Sequence, residues 1–449
     1  MSADFDVIVV GGGPAGEHCA ARLAAGDLRV AIVERELLGG ECSYWGCIPS
    51  KTLLRPGEAL HAAREAPGAR EAVTGRLDAV AAFAWRDFMV SGYDDAGQAA
   101  WADGAGITIL RGHGRLDGPG RVVVDDRTYT AADIVLATGS DAVVPPVPGL
   151  RELDGVWTNR DATGITEVPR RLLVLGAGPV GVELGQALRR MGASVAIVEG
   201  ADRVLAREPA PVGEAVRAAL AADGIELHLG THATAARREA GEFVLALTDD
   251  SELRGDRLLV ATGRRPRLDR LGLQTVGIDG RVEVDARMRI GDGLWAIGDV
   301  TGIWPLTYVG KYQGRIAAAN ILGEAREADY SAVPRVVFTD PQAAAVGEAD
   351  GPLTATVSLA EVPRTATYTR AYDCEPGFMT LVSDGDRLTG AYAVGPDAGE
   401  WLQQATLAIR AGVPLAVFED VIQPFPTFSE AFLHALLELK AARPAGVPS

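Results

Sequence analysis

The N-terminal part of the chain has two short apolar runs, at residues 6–10 and 30–33, separated by a glycine-rich turn and an alanine-rich stretch at residues 17–25. Short runs rich in Val and Ile are typical of buried strands, and the alanine-rich stretch is typical of a helix. The second run ends in Glu34. The pattern therefore predicts a strand, a tight turn, a helix and a second strand that ends in an acid.

The same order returns in the middle of the chain. An apolar run at residues 172–175 leads into a second glycine-rich turn and a helical stretch at residues 182–191. A further apolar run at residues 195–198 ends in Glu199. Two copies so far apart predict a duplicated domain rather than a short repeat. Because each copy has the order of a dinucleotide-binding unit, we predict two bound dinucleotides and electron transfer between them.

Each glycine-rich turn has the spacing Gly-x-Gly-x-x-Gly. Such a turn reverses the chain tightly, brings the backbone close to a pyrophosphate and lets the helix pack on the strand. The following helix N-terminus favours phosphate, and the acid can accept hydrogen bonds from ribose hydroxyls. For a single motif the alternative is a turn that only packs. The candidate dinucleotide contacts are Gly11, Gly13, Pro14, Ala15, Gly16 and Glu34 in the first copy and Gly176, Gly178, Val180, Gly181 and Glu199 in the second.

The remaining apolar runs predict the other elements. Buried strands are predicted at residues 133–138 and 258–261, each leading to a Thr-Gly pair, and a hairpin at residues 121–129. The pattern then changes: residues 336–338, 355–359, 378–382 and 388–394 are predicted to form an antiparallel sheet, flanked by helices at 398–411 and 429–440. This last region has no nucleotide signature.

The predicted fold class is α/β, with two doubly wound dinucleotide-binding domains and a C-terminal α+β domain. Prolines at positions 145, 146 and 148 mark the first boundary, because proline interrupts strands and helices alike. The predicted domains are residues 1–148 (first dinucleotide-binding domain), 149–268 (second dinucleotide-binding domain), 269–332 (central part, completing the first) and 333–449 (C-terminal domain).

Composition and charge argue against several classes of function. Apolar residues make up 47% of the 449 residues, which indicates a globular protein, yet no uncharged apolar run reaches the roughly 18 residues of a membrane span. A net charge of −17 argues against a nucleic-acid partner. The first residues have no signal-peptide pattern, and four cysteines are too few for a secreted disulfide framework. We therefore expect a cytoplasmic protein without membrane or nucleic-acid partners.

Two of the cysteines, Cys42 and Cys47, lie five positions apart, and Lys51 follows as one of only three lysines in the chain. Residues at this spacing do not meet on a regular helix, but they can meet if the helix is distorted or starts between them, and Gly46 and Pro49 favour such a local break. A thiolate at the helix N-terminus would have a lowered pKa. No further cysteine or histidine pair has zinc-ligand spacing, so no metal site is predicted. A cysteine hydrolase would not explain the second cysteine.

Residues 40–51, both glycine-rich turns, the two Thr-Gly pairs and the segment 296–299 together resemble the pyridine nucleotide-disulfide oxidoreductases. This family includes dihydrolipoamide dehydrogenase, glutathione reductase, mycothione reductase and mercuric reductase. The resemblance implies FAD at the first site, a nicotinamide dinucleotide at the second and a C-terminal domain that forms a homodimer. It also implies hydride transfer from nicotinamide to flavin, and from flavin to a Cys42–Cys47 disulfide.

The resemblance assigns roles to individual residues. Cys47 would be the flavin-side thiolate, Cys42 the outer thiol that attacks substrate, and Lys51 would lie near the flavin, paired with Glu183. Further expected contacts are Gly40, Lys51, Gly114, Thr138, Gly139, Ser140 and Asp299 with FAD, and Gly263 with a bound dinucleotide.

Glu199 favours NAD over NADP, because its carboxylate would repel a 2′-phosphate. Arg203 and Arg207 follow closely, and these two cations keep NADP open.

The chain departs from the family at the catalytic base. Family members usually have a His-Pro pair near the C-terminus, followed by a Glu that orients the His; here Phe425 stands in place of the His and Glu430 is retained. General acid–base catalysis contributes about a hundred- to ten-thousand-fold to the rate, so ordinary dithiol turnover is expected to be impaired.

His434 is either a relocated base or an ordinary helix residue. Mercuric ion reduction is disfavoured, because residues 443–449 have no cysteine pair.

The cysteine segment departs as well. Glu41 stands where Thr is usual, and Tyr44 and Trp45 are bulkier than the usual residues. The two aromatic side chains would either shape a substrate pocket or serve packing.

The leading hypothesis is an FAD-dependent NAD(P)H disulfide oxidoreductase that acts on a specialised small disulfide or dithiol. One alternative is a quinone reductase or diaphorase that acts at the flavin. Another is a non-catalytic, redox-sensing relative that kept the fold after losing the base.

Overall fold

The computed structural model describes residues 3–362 and 377–442. Its contacts divide the chain into two units. The first comprises residues 1–50, 84–143 and 263–329, and the second comprises residues 51–83, 144–262 and 330–449.

The helices of the described residues are α1 (Pro14–Ala24), α2 (Gly40–Tyr44), α3 (Cys47–Glu65), α4 (Ala79–Met89), α5 (Ala96–Gly104), α6 (Asn159–Thr163), α7 (Pro179–Arg190), α8 (Ala210–Ala222), α9 (Thr307–Ile321), α10 (Ala398–Trp401), α11 (Gln403–Ala411), α12 (Leu415–Glu419) and α13 (Glu430–Ala441). None of them is both long and apolar enough to span a bilayer.

The strands are β1 (Phe5–Val10), β2 (Val30–Glu34), β3 (Thr108–Arg111), β4 (Gly114–Leu116), β5 (Arg121–Val124), β6 (Arg127–Leu136), β7 (Ser140–Ala142), β8 (Arg171–Leu175), β9 (Ser194–Glu199), β10 (Glu226–Leu229), β11 (Ala233–Glu239), β12 (Glu242–Leu247), β13 (Glu252–Gly255), β14 (Arg257–Val260), β15 (Arg264–Pro266), β16 (Arg289–Gly291), β17 (Leu294–Ala296), β18 (Arg335–Val337), β19 (Gln342–Gly347), β20 (Leu353–Ser358), β21 (Phe378–Ser383) and β22 (Leu388–Gly395).

The first unit is built on a sheet in the order β16-β17-β6-β1-β2-β3. The inner pairs are parallel, and the continuous Val and Ile runs of β1 and β2 are buried, as expected for strands covered on both faces. Helix α1 packs beside them through Gly16, where a Cβ atom would lie 2.0 Å from the carbonyl oxygen of Gly11. A side chain there would therefore push the helix off the strand.

The second unit contains the repeated copy and the C-terminal sheet. The parallel sheet has the order β10-β9-β8-β14, and a Cβ atom at Gly181 would lie 2.0 Å from the carbonyl oxygen of Gly176. This geometry matches that of Gly16 and Gly11. The C-terminal sheet, β18-β19-β22-β21-β20, is antiparallel, and its core includes α13 through Phe432 and Leu436.

These features confirm the predicted α/β class, with two Rossmann-like copies and an α+β region after them. The predicted hairpin is also confirmed, since β5 pairs with β6 around residues 125 and 126. The strand predicted at 133–138 is wrong in its limits. Strand β6 starts at Arg127 and ends at Leu136, because its first half pairs with β5 and its second half with β1.

Two further element predictions need correction. The helix predicted at 398–411 is interrupted by a turn at Leu402, whose side chain is buried in the C-terminal core. The sequence pattern does not predict strand β19, the second in the C-terminal sheet, because its three consecutive alanines have low strand propensity and are held in the sheet by pairing with β18 and β22.

Candidate functional site

The cysteine segment has a break between its two cysteines, as the sequence predicts. Helix α2 ends at Tyr44 and α3 begins at Cys47. Gly46 lies in the break, where a Cβ atom would approach the carbonyl oxygen of Glu41 to 3.1 Å. The break brings the two thiols together and puts Cys47 at the positive end of a 19-residue helix.

The two thiols of this segment are hydrogen-bonded to each other. This hydrogen bond raises the pKa of Cys42, burial and the charge of Cys47 raise it further, and a hydrogen bond to Thr307 opposes the rise. The sulfur of Cys47 also lies 3.3 Å from the hydroxyl oxygen of Thr307. The start of α3 and this hydroxyl are placed to stabilise a thiolate at Cys47.

Aromatic residues surround the break. The ring of Trp45 lies 5.6 Å from that of Tyr44 and 6.2 Å from that of Tyr93. Tyr44 is buried and donates a hydrogen bond to the carbonyl oxygen of Leu38, so it serves packing. Trp45 is half-buried. Of the two alternatives left by the sequence, packing therefore holds for Tyr44.

Tyr93 was not found from the sequence. Its hydroxyl oxygen is buried without a partner in the described part of the chain, and burial raises its pKa. Ser91, Gly92 and Tyr93 have consecutive positive φ angles of 52°, 60° and 61°, which is unusual for residues with a side chain. Only folding shows that this turn lies against Trp45.

The Lys51–Glu183 ion pair is present in the structure. The Nζ atom of Lys51 donates to Oε2 of Glu183 at 2.6 Å, and the backbone N–H of Phe338 donates to Oε1 at 2.9 Å. Glu183 is almost fully buried, and the Lys51 ammonium lies 4.7 Å from the centre of the Phe338 ring. Both carboxylate oxygens are thus satisfied, and the cation is held in one place.

The first glycine-rich turn leaves an open cradle at the N-terminus of α1. Among the described residues no side chain caps this helix, and a Cβ atom at Gly13 would meet nothing closer than 4.0 Å. Glu34 accepts hydrogen bonds from the backbone N–H groups of Gly12, at 2.9 Å, and Glu36, at 2.7 Å. The carboxylate thereby fixes the turn, and the exposed N–H groups of α1 suit a pyrophosphate.

The second turn repeats this arrangement. Glu199 accepts from the backbone N–H groups of Ala177, at 2.7 Å, and Ala201, at 2.9 Å. Within the part of the chain that the structure describes, helix α7 has no side-chain cap, and a Cβ atom at Gly178 would meet no atom within 4 Å. Both cradles therefore fit the phosphates of a dinucleotide.

A polar chain links the cysteine segment to the Asp299 turn. Ser140 donates to Asp299 at 2.6 Å and accepts from Nε of Arg264 at 2.8 Å. Arg264 also lies 3.6 Å from Glu41, next to Cys42. Arg264 directly follows Gly263, but no sequence motif predicts this contact.

Other predicted contacts lie at turns and element ends. Gly139 and Gly263 have φ angles of +77° and +133°, which glycine adopts most readily. Thr138 donates its hydroxyl to the carbonyl oxygen of Arg267 at 2.8 Å. Gly114 begins β4, where a Cβ atom would clash with Val33. Their roles toward a cofactor stay predictions.

The C-terminal segment carries Phe425, which the resemblance places at the position of a catalytic His. Phe425 is 60% exposed. Glu430 begins α13, and its Oε2 atom is buried without a partner among residues 3–362 and 377–442. His434, one turn later, therefore does not pair with that oxygen.

Comparisons with known proteins agree with this geometry. Residues 5–314 match the family model described as pyridine nucleotide-disulphide oxidoreductase, and residues 333–436 match the model for its dimerisation domain. The chain is 36% identical to mercuric reductase of Acidithiobacillus ferrooxidans, covering 95% of this chain and 81% of the relative. It is 35% identical to dihydrolipoyl dehydrogenase of Thermus scotoductus, covering 96% of both. Among solved structures, the HOCl-induced flavoprotein disulfide reductase RclA of Escherichia coli is similar, with a TM-score of 0.84, 27% identity and coverage of 96% of this chain and 99% of that one.

Proposed function

Because the chain belongs to the pyridine nucleotide-disulfide oxidoreductase family and carries its dimerisation domain, we propose that Cys42 and Cys47 are its redox pair. The protein is an FAD-dependent NAD(P)H disulfide oxidoreductase. We propose a small disulfide or dithiol as its substrate, and a cytoplasmic homodimer as the working form.

The observation that carries the proposal is the position of the two thiols. Cys47 has the start of α3 and the Thr307 hydroxyl to stabilise a thiolate, while Cys42 lies on the other side of the break, in α2. Cys47 is thus suited to the flavin side and Cys42 to the substrate side.

FAD and NAD(P)H supply, when bound, the two electrons that reduce the pair. The first cradle with Glu34, Ser140 and Asp299 would hold FAD, and the second cradle with Glu199 would hold the nicotinamide dinucleotide. Glu199 would favour NAD, since a carboxylate at the end of β9 would repel a 2′-phosphate.

The thiol chemistry consists of two exchanges. The Cys42 thiolate attacks one sulfur of the substrate disulfide, which breaks the S–S bond and releases the first thiolate. The Cys47 thiolate then attacks the sulfur of Cys42, releases the second thiolate and leaves a Cys42–Cys47 disulfide. The two released thiolates take up the protons that the two cysteines gave up, so the substrate gains two electrons and two protons.

The substrate class follows from the departure at Phe425. Phe cannot accept the proton that Cys42 must lose, nor donate one to the leaving thiolate. A disulfide of acidic thiols needs less help, because a thiolate of low pKa leaves faster. We therefore propose disulfides of low-pKa thiols as the preferred substrates.

The FAD-loaded protein and NADH, mixed in a stopped-flow spectrometer, test the assignment of the pair. We expect long-wavelength charge-transfer absorbance in the wild type and in Cys42→Ser, and its loss in Cys47→Ser. Cys19→Ala is the matched control, because Cys19 is a buried cysteine of α1 outside the pair. Absorbance that persists in Cys47→Ser contradicts the assignment.

Steady-state turnover tests the substrate class. We expect faster reduction of a disulfide of an acidic aromatic thiol than of lipoamide or oxidised glutathione. Equal rates with all three would contradict the proposed preference.

Phe425 also favours a second candidate function. With no base for Cys42, electrons can leave from the flavin to a quinone, and the pair would then be dispensable. Under this alternative Cys42→Ala keeps NADH–quinone activity and the wild type reduces none of the disulfides. Under the leading proposal Cys42→Ala loses disulfide reduction.

A further inference from the structure

In the second unit, residues 51–65 of helix α3 and helix α7 are joined by charged contacts at two places. The first place is the Lys51–Glu183 pair. Between the two places the helices pack closely: a Cβ atom at Gly57 of α3 would lie 3.0 Å from Cδ of Arg190 on α7.

The second place is a shared carboxylate. Oδ2 of Asp340 lies 2.6 Å from Nδ1 of His61 on α3 and 2.5 Å from Nη1 of Arg190 on α7. Asp340 is almost fully buried, whereas 36% of the His61 side chain is exposed. One carboxylate oxygen therefore joins the two helices.

The segment that carries Asp340 also reaches the first place. The backbone N–H of Phe338 donates to Glu183, and the backbone N–H of Asp340 donates to Oε1 of Gln186 at 2.8 Å. Gln186 lies between Glu183 and Arg190 on α7. Movement of α3 against this segment would therefore change the surroundings of Lys51.

The charges at the second place respond to pH. His61 faces Asp340, Arg190 and Asp223. The hydrogen bond to Asp340 raises the pKa of His61 above its ordinary value of 6.5, against the effect of burial. The ion pair is complete below that value and weakens as pH rises through the raised pKa, while Arg190 keeps Asp340 attached to α7.

We propose that His61, acting through Asp340, is a positioning residue for the Lys51–Glu183 pair, holding α3 in register with α7 while it is protonated. Its consequence for flavin reduction rests on the proposed function, in which Lys51 lies near the flavin.

The three lysines make a direct test practicable. The FAD-loaded protein is labelled with ¹³C-lysine, and the Lys51 signal is assigned with Lys311→Arg and Lys440→Arg. A pH titration then follows the Lys51 signal in the wild type, in His61→Gln and in His228→Gln. His228 is the matched control, because it also pairs with a carboxylate, that of Glu226 at 2.8 Å, but on strand β10.

We expect the Lys51 signal to shift with a midpoint above pH 6.5 in the wild type and His228→Gln, and to lose that transition in His61→Gln. A Lys51 signal that is unchanged across the titration of His61, or identical in His61→Gln, overturns the proposal. Asp340→Asn gives a second test, since it removes the shared charge and should abolish the same transition.

The rate of flavin reduction by NADH distinguishes a failure of this proposal from a failure of the proposed function. We expect a fall of about two- to fivefold in His61→Gln at pH 6, the size of one partly exposed ion pair. If the Lys51 signal follows His61 but the rate does not change, the positioning is supported and the role given to Lys51 in the proposed function is wrong.

Discussion

The sulfur of Cys47 lies 3.3 Å from the hydroxyl of Thr307, although 260 positions separate the two residues in the sequence. Cys47 is the first residue of α3 and Thr307 the first residue of α9. Two helix N-termini, both with positive dipole ends, therefore lie beside one sulfur atom, and both would stabilise a thiolate at this position.

Thr307→Val should raise the pKa of this thiolate. A hydrogen bond to a charged group is worth about 1.5–3 kcal/mol, so the expected rise is about one to two pH units. The measurement is the pH dependence of the long-wavelength absorbance of the reduced, FAD-loaded protein. Thr406→Val is the control, since its buried hydroxyl has no partner in the described part of the chain. An unchanged midpoint in Thr307→Val would contradict the role given to the hydroxyl.

Glu199→Gln should weaken the preference for NADH. Removal of the carboxylate charge removes repulsion of a 2′-phosphate, and the ratio of kcat/KM for NADH to that for NADPH is expected to fall about tenfold. Glu34→Gln is the matched control, because Glu34 makes the corresponding backbone contacts at the first site. It should weaken FAD binding and leave the nicotinamide preference as it was. If the preference for NADH changes equally in both variants, the assignment of Glu199 to the nicotinamide dinucleotide site is wrong.

Phe425→His should increase turnover with lipoamide. Its imidazole would supply the base that the sequence resemblance predicts at this position, and Glu430 has a buried oxygen without a partner in the described residues. The expected gain is on the order of a hundredfold, the lower end of general acid–base catalysis. Phe425→Leu should give no gain, and Phe425→His combined with Glu430→Gln should lose most of it. Equal turnover by the wild type and Phe425→His would show that another group serves as the base.

Glu17→Gln should make the protein less sensitive to alkaline pH. Burial raises the pKa of Glu17 to about 7 from an ordinary 4.5, with Glu34 adding to the rise and Lys311 opposing it. A raised carboxyl pKa contributes stability that is complete below pH 4.5 and is lost as pH rises through 7.

The contribution of Glu17 to the free energy of unfolding is expected to differ by about 2–3 kcal/mol between pH 4.5 and pH 7. Urea unfolding of the FAD-loaded wild type and Glu17→Gln at pH 4.5, 6 and 8 measures it. The wild type should lose stability relative to the variant as pH rises. Parallel curves for the two proteins would contradict a buried, protonated Glu17.

Local patterns in the sequence were sufficient to predict the two glycine-rich turns and the helix that follows each of them. A Gly-x-Gly-x-x-Gly turn can adopt few backbone conformations in which the helix packs on the strand. A Cβ atom at Gly16 or Gly181 would lie 2.0 Å from a carbonyl oxygen, so only glycine fits there. The break between Cys42 and Cys47 was predictable for the same reason, because adjacent residues dictate where a helix can begin. Strand β19 was not predictable, because its alanines owe their conformation to neighbouring strands.

The sequence by itself determined the fold class, the duplicated dinucleotide sites and the cysteine pair, because these depend on residues near one another in the chain. Tertiary structure alone decided that Thr307 meets Cys47, that Tyr93 lies against Trp45 and that Asp340 joins His61 to Arg190. Such contacts arise between segments far apart in sequence, where no periodic pattern specifies which side chains meet. The proposed role of each cysteine rests on both, since the helix start is local and its hydroxyl partner is not.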